Sequence, residues 1–457
     1  MKFAAKKGLL LASSTLIWFA IGSAPASAAV PLTQLSSDPF TNTSSQHRTE
    51  VEPDTFSFGS TIVSAFQVGR FFDGGSSDIG FATSNNGGAT WQNGFLPGIT
   101  RYFGAGPYDR ASDPSVTFDA RHGVWLISSL ALLGTSNPSV PGVLTSRSVD
   151  GGHTWSAPVF VTGSAGADKN WIVCDNNAGS FFFGRCYTEW DQPGNGGLIR
   201  MSTSTNGGLS WGAALTSADS ARGLGGQPVV QPNGTVIVPY ASSSFGSIRS
   251  FRSVDGGGNW RVSVQVAGLI DHPIAGGLRS PPLPTAEIDA SGKVYVVWQD
   301  CRFRTSCRSN DLVLSTTTQS SYPTWSSVLR IPIDSTASTV DHFIPGLAVD
   351  RGTAGTTARL GLTYYYYPNA ACSFSTCQLD VGYVFSHNGG STWSAPTQLT
   401  GPMALSWLAA TNQGRMVGDY ISSSFVNGGV RPVFAAASAP SAGLFNEAMF
   451  TTSSPLP

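Results

Sequence analysis

Acidic residues recur in this chain beside the starts and ends of its β-prone runs, where a fold could gather them. Glu50 and Glu52 stand in Glu-Val-Glu-Pro, Asp113 in Ser-Asp-Pro, and Asp168 precedes Lys169 ahead of Asn-Trp. Gln227, the pair Asp341-His342 and the pair Asp419-Tyr420 open later runs. Near the far ends of runs lie Arg70, Tyr187 with Glu189, Tyr240, Asp300 with Arg302, and the tyrosines 364–367, while Arg415 falls shortly before Asp419. Two carboxyl groups, one protonated and one ionised, can hydrolyse a glycosidic bond. Arginine grips an anionic substituent with a planar fork of donors, and aromatic rings line sugar sites. The expected catalytic candidates are therefore Glu50, Glu52, Asp113, Asp168, Glu189, Asp300, His342 and Asp419. The expected substrate-binding candidates are Arg70, Lys169, Tyr240, Arg302, Arg415 and Tyr420.

Each of these also has a plainer reading. Ser-Asp-Pro and Glu-Pro are turn signals ahead of a strand. The four tyrosines fit a strand whose alternate members are core. Lys169 beside Asp168 fits a surface pair. His342 has no serine in a nucleophile elbow to act on, which argues against a serine hydrolase. No cofactor is expected. A structural calcium ion is the alternative for the acids, but no Asp-x-Asp-x-Asp-Gly loop is present.

Composition narrows the partners. The formal net charge is −1, and beyond the first residues only Lys169 and Lys293 remain as lysines. Nucleic acid and anionic membranes are poor partners for such a chain, and a glycan met by a monomer is the expectation. Lys2, Lys6 and Lys7, the apolar run 8–22 and Ala26-Ser-Ala28 read as a secretory signal peptide cleaved after Ala28, so residues 1–28 leave and the protein is secreted. No later run is long enough to cross a bilayer. The six cysteines fall into near neighbours, Cys174 with Cys186, Cys301 with Cys307 and Cys372 with Cys377. In an exported chain this predicts disulfides, with adjacency as the preferred pairing. Zinc is the alternative, but no Cys-x-x-Cys occurs and no histidine stands at ligand spacing.

The elements that must carry these groups are announced by a repeat. One phrase recurs at Ser84–Trp91, Ser148–Trp155, Ser204–Trp211, Ser253–Trp260 and Ser386–Trp393, each with Asn or Asp followed by Gly-Gly; 318–325 keeps only its final Thr-Trp. Asn/Asp-Gly between β-prone runs is a strong hairpin signal, and copies at this spacing mean stacked supersecondary units. Between copies run short strands, as at Pro284–Asp289 then Val294–Asp300, and Ser112–Asp119 then Val124–Ser129. Four short strands per unit with little helical periodicity read as an all-β propeller. Six units end in the repeated tryptophan. A further one lacks the phrase: Gly414–Tyr420, then Arg431–Phe434, then Asn446–Phe450. The expectation is a single domain over 29–457 with seven blades rather than six, the segment near Leu35–Phe40 closing the ring.

Ser148-Val-Asp-Gly-Gly-His-Thr-Trp155 resembles the Asp-box, or BNR repeat, at every fixed position. Asp-boxes recur in the sialidase superfamily of β-propellers, and also in lyases, arabinanases and sorting receptors. The resemblance implies that the boxes sit on C–D turns, away from the face where the inner-strand starts and B–C loops meet. Asp150 and Asp255 would then hold turns, while the candidates above would ring the opposite mouth of the channel. Sialidases of this superfamily use three arginines, a Tyr–Glu nucleophile pair and an Asp acid/base, with a first-blade Arg-Ile-Pro motif. Here Arg-Ile-Pro occurs only at Arg330–Pro332, and no motif selects Arg70, Arg302 and Arg415 as a triad. The functional expectation is a secreted sialidase-like glycoside hydrolase acting on an acidic or terminal sugar with a carboxylate pair. A lyase acting on a uronate-containing glycan and a non-catalytic propeller that binds glycan or protein are the alternatives.

Overall fold

The repeated turns share one closing bond, from a glycine N–H to a serine hydroxyl. In the second copy Ser148 is the last residue of the strand Ser139–Ser148. Its hydroxyl donates to Asp150 Oδ1 (2.8 Å) and accepts from the Gly152 N–H (2.9 Å). Asp150 Oδ1 also takes the Thr154 N–H (3.0 Å), and the Trp155 indole N–H reaches back to the Gly152 carbonyl (3.1 Å). Gly151 and Gly152 hold φ of 80° and 83°, a region where a side chain costs energy. The serine-to-glycine bond recurs from Ser84, Ser204, Ser253 and Ser386. Each of these serines ends the third strand of an antiparallel unit.

The computed structural model describes Met1, residues 30–320, Tyr322 and residues 324–457. The expected signal peptide, Met1 apart, falls outside the described residues. The protein is all-β, its helical content confined to short 3-10 turns. Its strands form successive antiparallel meanders: Gln46–Phe58, Thr61–Arg70, Ser76–Ser84 and Gln92–Phe95 make the first. The innermost strands of the successive units are Gln46–Phe58, Arg110–Asp119, Asp168–Cys174, Val229–Val230, Thr285–Ile288, Asp341–Val349 and Ser422–Val426. Each packs on the next, and the last packs on the first, so they surround a central axis. The strand Leu32–Gln34 pairs with Glu447–Thr452 and joins the two ends of the chain in one sheet.

Two expectations shift. The closing strand is Leu32–Gln34 rather than Leu35–Phe40, because Leu35 turns into the core and Asp38 caps the following turn through the Phe40 N–H. The last innermost strand is Ser422–Val426; Gly414–Met416 instead forms a small hairpin with Ala409–Thr411. The tyrosine run lies in the strand Leu360–Tyr367, where Tyr364, Tyr365 and Tyr367 are all buried, since adjacent sheets cover both of its faces. Cys174–Cys186, Cys301–Cys307 and Cys372–Cys377 are bonded as adjacency predicts. Among the described residues no helix is long and apolar enough to cross a membrane.

Candidate active site

A bulge repeated in four innermost strands aims the site. Cross-strand register jumps between Val51 and Asp54, Ser112 and Ser115, Asp168 and Trp171, and Phe343 and Gly346. At each jump a non-glycine residue adopts positive φ: Glu52 (56°), Asp113 (48°), Lys169 (48°) and Ile344 (48°). Such conformations cost on the order of 1 kcal/mol or more and persist where the surroundings enforce them. Proline follows Glu52, Asp113 and Ile344. A residue without an N–H is tolerated inside a sheet at just such a bulge. The turn-like Glu-Pro and Ser-Asp-Pro pairs are therefore bulges, and three of the four throw a charged side chain toward the axis.

Those charges meet. Lys169 Nζ lies 2.6 Å from Asp419 Oδ2, 3.1 Å from Glu52 Oε1 and 3.5 Å from Asp113 Oδ2. Arg279 grips Asp419 with both arms of its fork, Nε to Oδ1 at 2.7 Å and Nη2 to Oδ2. Gln67 donates to Glu52 Oε2 and accepts from Arg70 Nη1 (3.1 Å), which also donates to the Gly75 carbonyl (2.8 Å). The Lys169 N–H is shared between Asp113 Oδ2 (3.1 Å) and Asp168 Oδ1 (3.0 Å), bringing these two carboxyl groups side by side. The Arg70 Nε is buried without a partner among the described residues.

Burial and charge drive these groups apart in proton affinity. Burial works against the Lys169 charge, but Asp113, Asp419 and Glu52 outweigh it and hold its pKa well above the usual lysine range. Burial likewise opposes ionisation of Asp419 and Asp113, yet Arg279 and Lys169 hold the first, and Lys169 with Ser112 the second, below the usual carboxylate range. Glu52 goes the other way, pushed up to about 7 by burial against the pull of Lys169. Burial also lifts Asp168 to about 6, opposed by Lys169 and reinforced by Asp113. Asp191, opposite Asp168 on the neighbouring strand, is raised well above its ordinary value by burial and by Asp168. One mouth thus gathers carboxyl groups of raised and of lowered proton affinity.

A cleft of about 550 Å³ opens over this network, with Arg70, Asp113, Asp168, Lys169 and Arg279 in its floor. Its walls come from the turn 73–75, Leu130 and Leu132, the segment 137–140, Pro193-Gly194 and Gln413. The volume lies within the range of small-ligand pockets.

Of the expected residues, Glu52, Asp113, Asp168, Lys169, Asp419, Arg70 and Tyr420 come together here. Tyr420 donates to the Pro114 carbonyl (3.1 Å) and packs edge-on against Trp171. Glu50 lies elsewhere, buried under the Ser36 hydroxyl (2.7 Å). Glu189 is fully buried, and neither of its oxygens is hydrogen-bonded among the described residues. Asp300 is chelated by Arg302 beside the Cys301–Cys307 bridge. His342 is enclosed near Asn310, Tyr364 and Tyr366, where burial lowers its pKa to about 4. Tyr240 donates to Ser263, and Arg415 donates to the Leu408 carbonyl. Asp311, Asp334 and His342 are close enough for a metal site, but Arg304 and Arg330 already pair with both aspartates, a set that fits cations of the chain rather than an ion.

Arg279, Gln67 and Asp191 were not foreseen. Arg279 had a readable signal, since Leu-Arg-Ser-Pro-Pro precedes the innermost strand Thr285–Ile288 as Ser-Asp-Pro opens another. Gln67 and Asp191 sit inside ordinary strands and had none.

No protein-family model and no curated protein matches the chain. Solved structures do resemble it. An ulvan lyase, described as a new family of polysaccharide lyase, superposes with a TM-score of 0.53 at 10% identity over 92% of this chain and 95% of its own. A protein of unknown function from Dyadobacter fermentans gives 0.49 at 15% identity, over 79% of this chain and 100% of that one. A sialidase from Streptococcus pneumoniae gives 0.46 at 14% identity, over 93% and 71%. At such identities likeness speaks for fold alone, and the fold shared with the ulvan lyase is the ring of antiparallel meanders around one axis.

Proposed function

We propose that this is an exported carbohydrate-active enzyme, a propeller of seven blades with its Asp-boxes on the C–D turns, that hydrolyses a glycosidic bond of an acidic sugar in the cleft. The observation that carries the reading is the side-by-side Asp113 and Asp168 in the cleft floor, one held ionised and the other pushed up to about 6. Carboxyl groups whose surroundings separate their pKa values are how one site supplies both an acid and a base. Asp168 is the proton donor, and Asp113 is its ionised partner. Among the described residues Arg70 is the cation of the floor that no carboxylate pairs with directly, and it receives the sugar's anionic group. Glu52 and Asp419 are positioning residues, since they hold Lys169 and Arg279 in place.

A lyase would need a tyrosine or histidine base at the cleft. Tyr420 is buried, its hydroxyl is committed to a carbonyl and burial raises its pKa well above the ordinary value, while His342 belongs to a different cluster. These observations favour hydrolysis over elimination. The three disulfides are compatible with an extracellular setting.

Incubation of the purified protein with sialosides, arabinans and uronate-containing glycans tests the proposal, with new reducing ends and unsaturated products scored separately. New reducing ends without unsaturation, strongly reduced in Asp168→Asn and Asp113→Asn, are expected. Unsaturated products would establish the lyase instead. Binding without turnover would leave a carbohydrate-binding propeller.

A further inference from the structure

The central channel has a second opening, which the chemistry of the cleft does not use. At the end where the innermost strands finish, a cavity of about 430 Å³ is lined by Phe56–Gly59, Asn176-Asn177, Glu287–Ala290, Asp350–Gly352 and Ser423–Gly428. The repeated turns reach this end, as the Gly87 N–H bonds the Ser60 carbonyl beside Gly59. Phe56, Val173, Glu287 and Arg351 line both the cavity and a void of about 30 Å³ in mid-channel, room for about one water. That void shares no lining residue with the cleft at the other mouth. A ligand here is therefore bound independently of the cleft.

The walls specify what it would be. Glu287 and Arg351 form a pair at 3.3 Å, and Arg351 is stacked on the Phe56 ring at 4.6 Å while still 41% exposed. That is the pair's single hydrogen bond between side chains, so Arg351 keeps donors and Glu287 keeps an acceptor lone pair in reach of the cavity. Phe58 leans on Phe118 with one face (4.4 Å between centroids) and is itself 43% exposed. A carboxylate and a guanidinium side by side match two neighbouring hydroxyls, one donating and one accepting. An exposed aromatic ring matches the C–H face of a pyranose. Asn427, exposed at the rim with φ of 50°, adds an amide of either polarity. An anion would meet Glu287, Asp289 and Asp350 together, which disfavours an acidic sugar here.

We propose that this cavity is a second glycan site, which binds a neutral saccharide through a vicinal diol held by Glu287 and Arg351 and a ring face laid on Phe58. Its role is to hold polysaccharide apart from the reacting end, and its existence does not depend on what the cleft catalyses.

The test is titration of the intact protein with methyl glycosides of neutral hexoses, pentoses and 6-deoxyhexoses, followed by saturation-transfer NMR and calorimetry. At least one glycoside should bind, and a deoxy analogue lacking one hydroxyl of the diol should bind at least tenfold more weakly. Phe58→Ala and Arg351→Met should each weaken binding tenfold or more. Glu287→Gln, which keeps the shape and one acceptor, should weaken it less. Thermal melts of the variants confirm folding. No binding by any glycoside, or binding that survives both Phe58→Ala and Arg351→Met, overturns the proposal. So does binding that a cleft variant such as Arg70→Met abolishes.

Discussion

Replacing Glu50 by glutamine should make the protein more stable in mild alkali while leaving its stability in acid unchanged. Glu50 lies where the chain's two ends are joined. It accepts from the Ser36 hydroxyl (2.7 Å), which itself accepts from the Met449 N–H (2.9 Å), directly behind the closing strand Leu32–Gln34. Burial pushes its pKa from 4.5 to about 8, with Asp38 adding and Ser36 opposing. The folded protein therefore keeps this proton to about pH 8, whereas the unfolded chain loses it near 4.5. Between those values the fold binds more protons than the unfolded state, so stability is full below about 4.5 and is lost as pH rises through about 8. The shift corresponds to a loss on the order of 5 kcal/mol. An unfolding entropy of about 2.1 cal/mol/K per residue makes that roughly 5 °C in Tm for a chain of this length. Glutamine mimics the protonated form and can still accept from Ser36. Melting curves of wild type and Glu50→Gln should therefore coincide near pH 4.5 and separate by about 5 °C in favour of the variant above pH 8. Asp54 and Asp341, each raised to about 7 by burial, act in the same direction in both proteins, so wild type should also melt lower as pH rises from 5 to 8. Parallel curves for wild type and variant across that range would refute the burial argument.

Other changes should be read at the cleft and at the turns. Lys169→Met removes the cation shared by Glu52, Asp113 and Asp419; it should cost about 3–5 kcal/mol in urea unfolding, because it strands buried charge. Asp168→Asn should abolish the basic limb of the pH–rate profile near 6 together with most of the turnover, without a matching fall in Tm. Asp150→Ala should loosen its turn by about 1 kcal/mol and leave turnover intact, since it caps a turn between outer strands rather than lining the cleft. Loss of turnover with unchanged Tm in that variant would place the boxes at the wrong end of the molecule.

Local chemistry made much of this legible in the chain. A Ser, an Asn or Asp and two glycines within five positions contain every group needed to close the turn, so the repeated hairpins and the all-β class follow from neighbours in sequence. The adjacent cysteines are legible for the same reason, as short loops leave few other partners in reach. The acids before proline were legible as candidates but ambiguous in role. Ser-Asp-Pro reads as a turn until the strand Arg110–Asp119 is seen to run through it with a bulge. Which acids converge was decided only by tertiary structure. Glu50 and Glu52 are two residues apart, yet the bulge at Glu52 directs one toward Lys169 and leaves the other under Ser36. Lys169 meets Glu52 from 117 residues away and Asp419 from far beyond, and Arg279 enters from a loop of another unit. Contacts between such distant segments depend on how the units close around an axis, and spacing along the chain carries no record of that closure. Proton affinity belongs to the same category. Asp113 and Asp168 are the same residue type, yet Lys169 and the Ser112 hydroxyl hold the first below the usual carboxylate range, while burial and the charge of Asp113 lift the second to about 6.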